Sequence, residues 1–535
     1  MRHTIPNERA GPREWLGLAV LMLPLLLVSM DLTVLHLAVP AISADLRPTS
    51  SELLWITDVY GFLVAGFLVT MGALGDRIGR RRLLLTGAAA FGAASALAAF
   101  STSPEMLIAT RALLGVAGAT LMPSTLSLIR NMFPDARQRT LAIGIWSAGF
   151  MVGSSIGPPI GGVLLEHFWW GSTLLINIPV MVLLVLVGPL LLPEFRDPSP
   201  RRMDPVSVVL SVVAVISLVY GVKRAAEHGG PDAGTWIAAA LGLAVGYAFV
   251  RRQLRSGEGS GREPLIDVRL FARKAFSGSL AMVGLAVFMG AGVQFLVVQY
   301  LQLVLGLSPL EAALVMVPQA LAGVVGAVLA PVLARRVPRL AIILAGVATG
   351  IASLLVLSRV EGEDALPTII AAFSVMFLGF SAILTLATDT VVASAPPERS
   401  GAASALSETT GELSGALGIA LLGSTSTAVY RSEVADGLPG GLPDTAADAA
   451  RDTLGGAVAA AERLPETLGG PLLDAARGAF TGGLHLVAAI SVGLVVVQGL
   501  LAVLLLRARP DSDTAVPPRD EDREGRDDTL TGTRS

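Results

Sequence analysis

Long apolar runs recur along the whole chain, each closed by a short polar or arginine-bearing connection. A helix needs about 20 mainly apolar residues to cross a bilayer. The runs at 15–39, 53–74, 83–101, 106–129, 140–163, 172–192, 206–222, 235–250, 275–301, 310–333, 340–358, 366–388, 404–428 and 484–506 approach or exceed that length, the seventh and eighth being the shortest. Lipid cannot satisfy open backbone groups, so each run predicts a spanning helix. The pattern therefore predicts an all-α, polytopic membrane protein with 14 spans.

The arginines and lysines orient it. With the N-terminus cytoplasmic, 30 of the 39 basic residues fall on the inner side, eight on the outer side, and Arg111 lies within a span. Such an excess marks cytoplasmic connections, so both termini are expected inside, in the cell membrane. The first run is longer than a signal-peptide core, lacks a small-residue cleavage site behind it, and carries Asp31 in its interior, which predicts a retained span.

The layout predicts a cytoplasmic N-terminus at 1–14, a six-helix bundle at 15–192, a two-helix insert with linker at 193–274, and a second six-helix bundle at 275–506. Within the last, 429–483 reads as a long outer segment with helical pieces at 444–464 and 471–479, and 507–535 as a disordered cytoplasmic tail rich in Asp, Arg and Pro. Gly72 to Arg82 and Gly326 to Arg339 are both glycine-led helix ends running into arginines. They occupy equivalent places in a 6+2+6 arrangement, and internal duplication is common in secondary transporters.

Composition narrows the chemistry. The chain is 53% hydrophobic, only 15% charged, and of net charge −3, so it is not built to attract nucleic acid. It has no cysteine, which excludes thiolate zinc sites and cysteine nucleophiles. Five scattered histidines, no His-x-x-x-His pair and no paired aspartate motif for a metal–diphosphate argue against a membrane-embedded enzyme. No metal or cofactor is expected.

Ionisable residues inside lipid cost at least about 2.5–3.5 kcal/mol at a helix centre, so they are functional candidates. They are Asp31, Asp58, Arg111, Glu408 and Glu412. At about 1.5 Å per residue, Asp31 lies about 13 Å from the outer end of its span and Glu412 about 20 Å from the inner end of its own. Asp58 is shallower, and Arg111, five residues after Met106, is expected near the outer interface, where snorkelling competes with function. Spacing i, i+4 puts Glu408 and Glu412 on one helical face. Nearby carboxylates in a poor dielectric raise one another's pKa; such groups exchange protons near neutral pH and attract cations when deprotonated.

Other positions read as structural. Ser308 to Glu311 is a capping box with Pro309 at the first helical position. His36 reads as a packed polar residue. Trp55, Tyr60, Trp146, Phe295 and Tyr300 offer cation–π faces or serve as interface anchors. Gly153, Gly157, Pro158, Pro159, Gly161 and Gly162 predict a tightly packed, kinked helix at a moving interface.

On these residues the chain resembles the major facilitator superfamily, specifically its fourteen-span drug:proton antiporters of the QacA type. Gly72, Asp76, Arg77, Gly79 and Arg80 are similar to the family's loop between helices two and three, which the resemblance assigns as a conformational latch. Gly153, Gly157, Pro158, Gly161 and Gly162 match its antiporter motif. Arg111 with Gly115 and Gly118 resembles the span-four motif, implying a proton relay at Arg111. Asp31 to Pro40 and Asn177-Ile178-Pro179 also fit. His36 stands where the family usually has Asn, and Leu114 where it commonly has Gln. Some relatives carry an acid inside span ten, where this chain has only Glu311 at the edge.

The resemblance implies a monomeric exporter that trades inward-moving protons for lipophilic cationic drugs by alternating access, with Asp31, Asp58, Glu408 and Glu412 as proton- and cation-binding residues. A dedicated exporter of one endogenous metabolite or antibiotic is the alternative. Two duplicated halves and a latch loop argue against a passive pore.

Overall fold

The computed structural model describes residues 10–48, 50–196, 204–227, 232–255, 268–360, 362, 365–395 and 400–507. The first half comprises α1 (Pro12–Leu46), α2 (Ser50–Ile78), α3 (Arg80–Ala99), α4 (Pro104–Gly118), α5 (Leu121–Met132), α6 (Ala136–His167), α7 (Ser172–Leu175) and α8 (Asn177–Leu191). An insert follows, α9 (Pro205–Glu227) and α10 (Ala233–Arg255). The second half comprises α11 (Lys274–Gln299), α12 (Pro309–Val315), α13 (Val317–Leu333), α14 (Arg339–Leu357), α15 (Leu366–Ser394), α16 (Ser400–Gly437), α17 (Asp444–Asp452), α18 (Leu454–Ala461) and α19 (Glu466–Arg507). A 3₁₀ turn (Val268–Ala272) precedes α11 and a π-helical turn (Tyr300–Val304) follows it.

Among the described residues thirteen stretches are long and apolar enough to cross a membrane, and α6 adds a further rod of 32 residues laid along α1. A fourteen-span, all-α arrangement fits. Each half closes on its own apolar core: Leu21, Phe91, Leu114 and Phe133 lie in one, Phe373, Ile383, Leu354 and Val487 in the other. The halves meet where α2 runs along α16 and α6 along α13.

Several boundaries differ from the sequence reading. α1 continues through Pro40 to Leu46. The fourth span is interrupted at Ala119–Thr120, between α4 and α5. The segment 429–483 is only in part a connection: α16 extends to Gly437 and α19 already starts at Glu466. The piece expected at 444–464 is two helices, and 471–479 belongs to α19. Ala450, Leu454 and Ala457 join the apolar core of the second half, and the Tyr430 hydroxyl donates to the Ala450 carbonyl at 2.7 Å. The tail expected to be disordered lies outside the described residues from 508 onward.

The insert is a hairpin with reciprocal caps. Asp232 precedes α10, accepts from Thr235 N at 2.7 Å, and is gripped by Arg224 near the end of α9 at 2.7 Å. At the opposite end Asp204, before α9, accepts from Ser207 Oγ at 2.7 Å and pairs with Arg252 near the end of α10. A carboxylate at a helix N-terminus and a guanidinium at a C-terminus each complement the helix dipole. The hairpin rests through α9 on both α2 and α16, with Phe62, Val219 and Leu413 in one small cluster. Tyr220 stacks on Trp55 with ring centres 6.5 Å apart.

Candidate functional site

α4 begins behind the Ser103 cap, whose hydroxyl accepts from Met106 N at 3.2 Å. Further along, its glycines face α2. A Cβ on Gly115 would stand 2.7 Å from the Tyr60 carbonyl oxygen, and one on Gly118 3.2 Å from the Tyr60 hydroxyl. This close crossing carries Arg111 inward to α1. Arg111 Nη1 donates to Asp31 Oδ2 at 2.7 Å, its Nε donates to the Ile56 carbonyl at 3.3 Å, and its guanidinium carbon lies 4.7 Å from the centre of the Tyr60 ring. The two ionic side chains are 1% and 2% exposed.

The contact decides against the competing reading of Arg111 as a side chain at the interface. Arg111 does not snorkel to an interface; it is among the most deeply buried large side chains described. Asp31 is not an open acid, because its charge is already balanced. A buried charge persists only when paired and hydrogen-bonded, and here each partner supplies that condition for the other.

The remaining acids sit across from this pair on α16. Glu408 and Glu412 are one turn apart and half-buried. Glu412 lies within electrostatic reach of Tyr60, over whose ring the Arg111 guanidinium stands. The Tyr60 hydroxyl is buried and has no hydrogen-bond partner among the described residues. The structure thus brings Asp31 and Arg111 into contact and sets Glu412 within electrostatic reach of Tyr60, the ring that Arg111 packs on. The side chain of Asp58 lies outside the described residues, as does that of His36.

The glycine-led loop joins the two halves. Gly79 has φ of 110°, a backbone conformation that favours glycine, and it turns the chain between α2 and α3. Arg80 follows as the first residue of α3 and grips Asp76 through Nε at 2.9 Å and Nη2 at 2.7 Å. Asp76 reaches the first turn of α16: Oδ1 accepts from Gly401 N at 3.2 Å and Oδ2 from Ala402 N at 3.3 Å. A helix N-terminus favours an anion there. Gly72 allows the approach, since a Cβ on it would lie 2.6 Å from the Gly401 carbonyl oxygen. Arg77 lies half-buried in the last turn of α2, outside this network. Arg81 and Arg82 instead neighbour Glu194, at 3.6 and 3.8 Å.

A second interlock at the same end escapes the sequence reading. Asp389 on α15 is fully buried. It accepts from Arg139 Nε at 3.1 Å and Thr140 Oγ1 at 2.8 Å, both on α6 of the other half, and from Arg339 Nη2 at 2.9 Å. Arg339 opens α14 as Arg80 opens α3, so the two arginine-bearing connections do equivalent work. The signal available was an acid one residue past the twelfth apolar run.

The glycines of α6 also differ from expectation. Gly153 packs onto Leu26 and Ser29 and Gly161 onto Val34, all on α1 of the same half, with Gly149 against Met22 on the same side. Gly144, not part of the expected motif, meets Ala327 and Pro331 of α13 in the other half. Gly157 is buried, Gly162 faces open space, and the side chain of Pro158 lies outside the described residues. The helix is continuous through this stretch. At α12 the expected capping box is present, Ser308 N donating to Glu311 at 2.8 Å. Among the described residues no group of three His, Cys, Asp or Glu could hold a metal ion.

Residues 21–419 match the family model described as the Major Facilitator Superfamily. The chain belongs to that superfamily. Being a Major Facilitator Superfamily protein, it is a multi-pass membrane transporter and not an enzyme. It is 45% identical over 504 residues to the multidrug efflux pump LfrA of Mycolicibacterium smegmatis, covering 94% of this chain and 98% of that one. It is 37% identical to the methyl viologen resistance protein SmvA of Salmonella typhimurium, over 92% and 97% of the two chains. To the tetracenomycin C resistance and export protein of Streptomyces glaucescens it is 31% identical, over 95% and 94%. The superfamily fold is shared with the crystal structure of the human organic anion transporter MFSD10 (TM-score 0.57, 17% identity), covering 92% of this chain and all of that one.

Proposed function

We propose that this transporter exports lipophilic cationic drugs and antiseptics across the cell membrane, with both termini cytoplasmic, in exchange for protons. The observation that supports the reading is the acid pair Glu408 and Glu412, half-buried one turn apart on α16, in a fold that also buries the Asp31–Arg111 pair. Since Arg111 cancels Asp31, the net negative charge offered to a cation comes from α16, with Asp58 a further candidate. Relatives named for multidrug efflux and for resistance to methyl viologen, a doubly charged organic cation, support a cationic cargo.

In this scheme deprotonated Glu412 and Glu408 hold the cation while the cavity opens inward, and protonation from outside cancels the attraction and releases it. Arg111 follows the protonation of Asp31 as a relay. Asp76 and Asp389 hold the cytoplasmic end shut in the outward-facing state, and both interlocks part when the halves rock. The membrane potential contributes about 2.3 kcal/mol per net inward charge per 100 mV, so a divalent drug gains from it only against more than two protons. Acid count thereby limits cargo charge. The protein works as a monomer in this reading.

Ethidium uptake into everted vesicles, with and without a pH gradient, tests the coupling. Wild type is expected to export only with the gradient, and Glu412→Gln and Asp31→Asn to lose that export. Uptake indifferent to the gradient overturns antiport. The second reading, a dedicated exporter of one antibiotic, draws on the relative named for tetracenomycin C export. A growth-inhibition panel of dyes, biguanides and quaternary amines separates the two, since a dedicated exporter protects against none of them.

A further inference from the structure

The face of α16 that carries the acids continues past them. At 3.6 residues per turn, Glu408, Glu412, Ile419, Gly423, Thr427 and Tyr430 fall within a sector about 100° wide, and Gly423 lies about 16 Å along the axis from Glu412. There the stripe opens into a cavity of about 160 Å³, walled by Phe295 of α11, Phe480 of α19 and Leu454 at the start of α18. Gly423 leaves the space open: a Cβ on it would lie 3.4 Å from the Phe295 ring, so a longer side chain would stand in the cavity. Phe295 is 41% exposed and presents its ring to that space.

The polar groups of this cavity are neutral, among them Gln299 and the Ser426 hydroxyl, and no charged residue lines it. Ser426 is 1% exposed, and its hydroxyl, packed against Gly483 of α19, has no hydrogen-bond partner among the described residues. The size is informative. An apolar cavity of about 150 Å³ accepts benzene, whereas a whole drug-sized molecule needs about 300–1,000 Å³.

We infer that this cavity is an exit subsite for one aromatic ring of the cargo, entered after the cation leaves Glu412. The inference rests on the export reading above for what arrives there. The two sites divide the cargo between them: the acids hold its charge, and the cavity holds a ring without offering a counter-charge. Release is thereby split into a step that gives up the ion pair and a step that gives up the stacked ring, and the second favours flat aromatic cargo. Because Leu454 walls the cavity, α18 takes part in selectivity as well as in covering the bundle.

Equilibrium dialysis of the purified full chain in nanodiscs tests this with three probes: ethidium, a flat aromatic cation; tetrabutylammonium, a cation without a ring; and 1-naphthol, a ring without a charge. Gly423→Leu is expected to raise Kd for ethidium and 1-naphthol about tenfold and to leave tetrabutylammonium within about twofold. Phe295→Ala, which removes a partly exposed ring, is expected to act in the same direction. Unchanged binding of both aromatic probes in both variants overturns the subsite, and so does an equal loss for all three probes. Should wild type bind 1-naphthol but neither cation, and Gly423→Leu abolish that binding, the cationic cargo is wrong and the subsite stands. A wild-type chain that binds none of the three overturns both.

Discussion

Arg111 and Asp31 are 80 residues apart in the chain and 2.7 Å apart in the fold, both sealed from solvent. Burying two charges is repaid only while both are present, so the pair is a single object for mutagenesis.

Removing one partner strands the other charge, at about 3–5 kcal/mol. Asp31→Asn and Arg111→Leu are each expected to lower the thermal midpoint of the purified protein. The double variant Asp31→Leu/Arg111→Met, apolar and of similar volume, is expected to recover most of that loss while remaining inactive in proton-driven ethidium export. Recovery of export along with stability would reduce the pair to scaffolding.

Asp76 accepts two backbone N–H groups from the first turn of α16. Asp76→Asn keeps the shape but removes the charge facing the helix dipole, an effect of about 0.3–2 kcal/mol. The expected outcome is a shift toward the cytoplasm-open state, read as faster labelling of single cysteines placed along α2 and α16. Gly72→Leu is expected to have a larger effect, because even a Cβ there stands 2.6 Å from the Gly401 carbonyl oxygen.

At Asp389, three side-chain donors converge on one buried carboxylate. Asp389→Asn leaves Arg139 and Arg339 without their counter-charge. Spin-label distances between α6 and α15 at this end are expected to lengthen and broaden. Charge reversal across the halves, Asp389→Arg with Arg139→Asp, is expected to restore the short distance in part, with Arg339 limiting the recovery.

The insert should be insensitive to pH across the neutral range. Hydrogen bonds from Arg224, with Thr235, hold the Asp232 carboxyl well below the usual carboxylate range, and Arg252, with Ser207, does the same for Asp204. A depressed folded-state pKa contributes stability that is complete above the unfolded value, about 3.9, and is lost only as pH falls through the lower folded value. The destabilisation by Asp232→Asn, measured by thermal unfolding, is therefore expected to be equal at pH 5.5 and pH 8. A difference between them would show that the hairpin titrates with the transport cycle.

Helices and acids were legible from one dimension; their partners were not. The apolar runs located the rods, and the cost of charge in lipid singled out Asp31, Arg111, Glu408 and Glu412. The pairing of Asp31 with Arg111 depends on the crossing of α4 over α2, which glycine spacing permits without naming what is crossed. Depth arithmetic set Asp31 too close to the outer end because it took the end of an apolar run for the end of the helix, whereas α1 continues six residues past Pro40; Arg111 does stand near the start of α4, but packing against α1 and α2 buries it. Asp389 was missed for a related reason, since the twelfth run stops at 388 and α15 continues to Ser394. The spacing of four residues on α6 was visible, but only the packed structure assigns Gly149, Gly153 and Gly161 to α1 and Gly144 to α13.

The short helices α17 and α18 share one apolar core with α16 and α19, and the Tyr430 hydroxyl ties α16 to α17. They form a stiff hood fixed to one half, at the far end of α16 from Asp76, and so must tilt as that half tilts. On the alternating-access reading, a nanobody seated on the hood would serve as an external handle that reports or arrests the motion of this half.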